Sequence, residues 1–143
     1  MNKTHFSLRL KALAMCLAII VATLAMASCQ KAVTVDSDTM IIIGCTESDE
    51  GKMLIDYMNE LKEDEKIDFT VENGMVSSIN GVENAADYSS CWMLYTSDEE
   101  MANSAWGTVL YNDAEYGSAI LGAEKLKIKD GCLYIWAFRE ASW

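Results

Sequence analysis

The segment that most constrains the fold is Leu133-Tyr134-Ile135-Trp136-Ala137-Phe138. Side chains alternate across a strand, so Leu133, Ile135 and Ala137 point one way and Tyr134, Trp136 and Phe138 the other. Both sets are apolar. A strand with two apolar faces belongs inside a sheet, with cover on each side. Other strands must therefore flank this one, although it is the last element of the sequence.

The rest of the pattern supplies those neighbours. Ala32-Val33-Thr34-Val35 and Met40-Ile41-Ile42-Ile43 are β-branched and apolar, joined across Asp36-Ser37-Asp38, and predict a hairpin. Asp36, Asp38 and Glu47 fall at the first, third and twelfth places of a calcium loop. Ile41 stands where that loop needs glycine, so the acids are turn formers. Ile67 to Glu72 alternates, Asn73-Gly74 turns, Gly74 to Ile79 returns and Asn80-Gly81 turns again. Residues 82–91 read as loop, Trp92 to Thr96 as strand, and Ser97 to Ser104 as polar loop. Thr108-Val109-Leu110-Tyr111 is a short strand or the start of an irregular excursion through residues 112–122. Leu126 to Lys129 alternates, and Asp130-Gly131 turns into the last strand. The chain has no proline, so its turns rest on Gly, Asn and Asp.

The period changes once. Leu54, Ile55, Met58 and Leu61 follow helical spacing and predict a helix over about residues 49–63 that packs on the sheet. Thr46 with Asp49, or Ser48 alone, caps its first amides. Glu63-Asp64-Glu65 sits badly at the negative end and marks fraying. The expected fold class is α+β: a mixed β-sheet of about five strands with one packed helix and the last strand central. One helix covers one face. Across the other, the segment after Tyr111 folds over, or an aromatic platform stays open to a ligand or partner.

The first 28 residues read as a processing signal. Lys3, Arg9 and Lys11 are followed by an uncharged, apolar run from Ala12 to Ser28, and Leu24-Ala25-Met26-Ala27-Ser28 leads into Cys29. Small residues before a cysteine that closes the apolar run resemble a bacterial lipoprotein box. That resemblance implies cleavage before Cys29 and lipidation of its thiol. The expected division is a signal peptide over 1–28, an anchor and short linker over 29–31, and one domain over 32–143. Two acyl chains give stable attachment to membrane lipid, on the extracytoplasmic face. From residue 29 onward eight basic side chains stand against 22 acidic ones, a net −14. Such a surface repels phosphate backbones, so nucleic acid is not a partner.

The order of segments resembles the transcobalamin-like C-terminal domain family. The residues that carry this are Gly74-Met75-Val76-Ser77-Ser78-Ile79-Asn80-Gly81, Cys91-Trp92-Met93-Leu94-Tyr95-Thr96, Tyr111-Asn112-Asp113-Ala114-Glu115-Tyr116-Gly117, and Leu126 to Gly131 before an aromatic strand. The likeness spans about residues 32–140. It implies a β-grasp fold of the soluble-ligand-binding type, in a lipoprotein of a Gram-positive bacterium. In the vitamin carriers that name the family, this domain closes over cobalamin. The matching aromatic positions Trp92, Tyr95, Tyr116 and Trp136 are the ligand-contact candidates that the resemblance implies.

Chemistry is limited by what is missing. The only histidine is His5, so from residue 29 onward there is no Ser-His-Asp or Cys-His arrangement, and none to ligate zinc or cobalt. No spacing suggests a catalytic carboxylate pair. The chain reads as a non-enzyme with no cofactor and no metal. Cys16 leaves with the signal and Cys29 takes the lipid, leaving Cys45, Cys91 and Cys132. Cys91 and Cys132 each begin a strand and form the candidate disulfide, with Cys45 free; three buried thiols is the alternative. The expected function is a lipid-anchored binding protein for a small soluble ligand, corrinoid-like, working with a membrane transporter. The alternative is a cell-surface protein–protein interaction module.

Overall fold

The computed structural model describes residues 33–141; the leader and Cys29 lie outside them. The described chain is mostly β. In order it runs β1 (Val33–Ser37), β2 (Met40–Gly44), α1 (Leu54–Glu63), β3 (Phe69–Glu72), β4 (Met75–Ile79) and β5 (Val82–Glu83). Then come β6 (Ser90–Thr96), β7 (Ala102–Tyr111), β8 (Ala114–Ala119) and β9 (Leu133–Glu140). Six strands form one sheet in the order β1-β2-β9-β6-β8-β7, and β3-β4-β5 form another. Every pairing is antiparallel. This overturns the expected α+β, β-grasp-like mixed sheet of about five strands: the described residues form nine strands in two antiparallel sheets.

Two misread regions account for the difference. Residues 97–122, expected as loop around at most one short strand, hold the long hairpin β7–β8. Its turn is Asn112-Asp113, both with positive φ (48° and 61°), the geometry for which Asn-Gly is the usual sequence. Its register jumps between Asn103 and Thr108, which pair with the adjacent Ser118 and Gly117. Residues 104–107 bulge out and break the alternation. Gly117 is needed beneath that bulge, because a Cβ there would lie 3.0 Å from the Ser104 backbone nitrogen. In the second region, residues 74–83 form a small sheet with β3 instead of joining the main one. Leu126 to Lys129 is also not a strand. It makes one bridge, Met53 with Lys127, and buries Leu126 and Ile128.

β9 lies between β2 and β6, as its two apolar faces require. On one face Tyr134 and Trp136 join Ile41, Ile43, Trp92 and Leu94 under α1, the small sheet and the segment around Leu126. On the other, Ile135 and Ala137 pack with Ile42, Tyr95 and Val109, with Tyr111 and Tyr116 against them. The β7–β8 hairpin thus supplies the cover that one helix could not.

The α1 face is the expected one, with Leu54, Met58 and Leu61 buried together with Tyr57. Its start is later and its capping different. The Thr46 hydroxyl and amide donate to the Asp49 carboxylate, but around a short 3-10 turn at Glu47–Asp49. The first amides of α1 go to loop carbonyls instead: Leu54 N–H to Leu126 and Ile55 N–H to Ala123, at 2.8 and 3.0 Å. Residues 123–128 are therefore bound to the helix start, which satisfies donors that a side chain usually takes.

The Cys91–Cys132 disulfide does not form. Cys91 pairs with Arg139, while Cys132 lies seven residues earlier, just before β9 begins. That separation is roughly 20 Å, far beyond disulfide reach. Cys45, Cys91 and Cys132 are all free thiols.

Candidate functional site

A cavity of about 580 Å³ opens between the small sheet, β6 and the segment after β8. Trp92 and Leu94 on β6 and Trp136 on β9 line it, because alternation puts all three on the same face of the main sheet. Val71, Met75 and Val76 form the opposite wall. Residues 118–124 form a third, and Ile55 of α1 joins them. The small sheet reaches this position through the Asn73-Gly74 turn, in which both residues have positive φ. At that turn the Glu124 carboxylate fills the space beside Gly74, so a Cβ there would meet its oxygen at 3.2 Å.

The lining is apolar out to the mouth. Val71, Met75, Tyr88, Ile120 and Leu121 are exposed large apolar side chains, and all five line this cavity. Single exposed apolar residues are ordinary; five around one opening form a site. Among the described residues, no Lys or Arg lines it, and its one carboxylate is Glu124.

The two tryptophans differ in how they are held. Trp92 donates its indole N–H to the Val82 carbonyl at 2.7 Å, and its backbone N–H donates to Asn84 Oδ1 at 2.9 Å. The Asn84 amide in turn donates to the Val76 carbonyl, and the Phe138 ring packs edge-on against Trp92 at 5.6 Å. Trp136 is 5% exposed, and its indole nitrogen has no hydrogen-bond partner. Cys91 precedes Trp92 on β6, so its thiol points to the opposite face, that of Tyr95, and burial raises its pKa.

Of the four aromatic candidates, the cavity brings together Trp92 and Trp136. Tyr95 and Tyr116 are in the cluster on the opposite face of the sheet. Tyr95 is buried there, its hydroxyl facing the Met93 sulfur at 3.9 Å. The mouth residues Met75, Tyr88, Ile120 and Leu121 were not expected. Ala119-Ile120-Leu121 carried a signal, a short apolar run with no strand to bury it.

Among the described residues no group of His, Cys, Asp and Glu could hold a metal ion, and no helix is long and apolar enough to cross a membrane. No curated protein and no solved structure matches the chain. A family model does: a domain of unknown function, DUF4430, matches residues 51–114, which takes in α1, the small sheet and the Trp92 wall and stops before Ile120, Leu121 and Trp136.

Proposed function

We propose that this chain is an extracytoplasmic, lipid-anchored binding protein whose cavity takes a small molecule, in connection with a membrane transporter. The observation that carries the reading is the cavity of about 580 Å³ with apolar walls and an apolar mouth. Its size is in the range that encloses most of a drug-sized ligand. The resemblance to transcobalamin-like domains makes a corrinoid the first ligand to try. It would be held by packing, since the chain after residue 29 offers cobalt no histidine.

The test is a titration followed by tryptophan fluorescence, with a corrinoid and with neutral N-phenyl-1-naphthylamine. Saturable quenching is expected, and Ala119→Phe, which fills the cavity, removes it while the unfolding midpoint holds. No response to either molecule would sink the ligand reading. For the anchor, Cys29→Ala moves the protein from the membrane fraction to the medium or leaves its precursor uncut. Retention of a processed Cys29→Ala form would refute it.

A second reading, a protein-interaction module, has one observation in its favour. Trp106 and Leu110 on edge strand β7 are 60% and 61% exposed. Loss of partner binding in Trp106→Ser, with ligand titration unchanged, would favour it.

A further inference from the structure

We propose that the Trp136 indole N–H is the donor that orients the ligand in this cavity. The ligand is then an uncharged, mostly apolar molecule carrying a neutral oxygen acceptor, such as a carbonyl or an ether, and not the amide-rich, cobalt-bearing corrinoid that the resemblance suggests. This rests on the cavity being a ligand site. Among the described residues, Trp136 Nε1 is the one buried side-chain nitrogen or oxygen without a partner. Buried donors are nearly always paired, and an unpaired one carries the desolvation cost of a lost hydrogen bond.

The ring cannot solve this by moving. It stands on the central strand between its cross-strand neighbours Ile41 and Leu94. The acceptor must come to it, since no group of the wall is bonded to it. Asn84 Oδ1 accepts from the Trp92 backbone, the Val82 carbonyl accepts from the Trp92 indole, and the Glu124 carboxylate is out beside Gly74.

Charge then narrows the class. An anionic acceptor would enter an apolar cavity lined by no Lys or Arg and would pass Glu124. An ammonium group brings donors only and leaves the indole N–H unmet. A neutral oxygen fits both conditions. The N–H lies behind the wall surface, so a lining side chain has to yield as the oxygen arrives. Met75, unbranched and half exposed at the mouth, is suited to that.

The test uses a matched pair, 2-acetylnaphthalene and 2-ethylnaphthalene, which differ by a carbonyl in place of a methylene, with 2-naphthoate as the anionic control. In wild-type protein with 15N-labelled tryptophan, the Trp136 indole proton should move downfield with the ketone and little with the hydrocarbon. Trp136→Phe keeps a ring but no donor. It should weaken ketone binding about three- to tenfold and leave the hydrocarbon within about twofold. Equal losses for both, or an indole resonance that responds to both alike, would overturn the assignment while leaving the cavity a binding site. Tighter binding of the naphthoate than of the ketone would overturn the neutral class. Failure of all three molecules to bind wild-type protein would remove the cavity reading, and this inference with it. The resonance measurement needs no variant, so a poorly folding Trp136→Phe would not obscure the answer.

Discussion

Cys45 and Cys132 face each other just past the ends of β2 and β9, where the Gly44–Leu133 pairing extends by one step. The Cys45 thiol donates to the Lys129 and Cys132 carbonyls at 3.2 and 3.5 Å. Burial first, then the neighbouring Cys132, pushes it from the usual 9.0 up to about 12. The thiolate is the attacking form, so cross-linking is slow at neutral pH and quickens as pH rises. Oxidised glutathione, acting by thiol–disulfide exchange, should give a Cys45–Cys132 bridge and leave Cys91 the single alkylatable thiol. Labels on all three after prolonged oxidation at pH 9 would refute the pairing. Closing a loop of 87 residues should stabilise the domain by about 4.6 kcal/mol on the chain-entropy account. Alternation along a single strand also separates the aromatic candidates. Trp92 and Tyr95 are three residues apart on one strand and so cannot share a face. Trp92 and Trp136 were legible as a pair; Tyr95 and Tyr116 belonged to the other side.

Among the elements, α1 carries two opposite expectations. Leu61 is fully buried in the main cluster, so Leu61→Ala should cost about 2 to 4 kcal/mol, seen as an earlier urea midpoint. A loss below about half a kcal/mol would mean that the helix face is not packed. At its C-terminal end Glu65 adopts φ 56°, the position where helices usually place glycine, and the Lys66 N–H closes onto the Leu61 carbonyl at 2.9 Å. Glu65→Gly should stabilise by about 0.5 to 1.5 kcal/mol, relieving left-handed strain and removing an acid from the negative helix end. A destabilised variant would show that Glu65 has a compensating role. The β1–β2 hairpin, the α1 face and the central place of β9 were readable because long apolar side chains mark their periods. The β7–β8 hairpin was not. Ala102, Ser104, Gly107, Gly117 and Ser118 give it little hydrophobic alternation, its turn lacks glycine, and its bulge shifts the period midway.

At the scale of the whole molecule, buried acids set the response to alkali. Burial, the largest cause in each case, raises the Tyr57 and Tyr134 phenols above the usual 10.0, as it does the Cys45 thiol above 9.0. The Tyr57 hydroxyl donates to the Gly44 carbonyl, and the Tyr134 oxygen accepts from the Lys129 N–H. The folded chain keeps these protons where the unfolded chain gives them up. Their contribution is therefore full below about pH 9 and is lost as pH rises toward 12 and beyond. The thermal midpoint should hold from pH 7 to 8.5 and fall by pH 11, less steeply in Tyr134→Phe. A flat profile to pH 11 would contradict the assignment.

The place of β9 has a consequence for how the protein is made. Among the described residues, β2 and β6 have no hydrogen-bonded contact except through this strand, which follows both in sequence. Until Glu140 has emerged, β1–β2 and β6–β8–β7 are two separate sets of strands with open edges. Such distant pairing is slow to form, because the intervening chain must close before any contact repays it. Until β9 is in place, the strands on its two sides therefore stay without a common sheet. A C-terminal truncation before Leu133 should yield aggregated protein, not a smaller folded core.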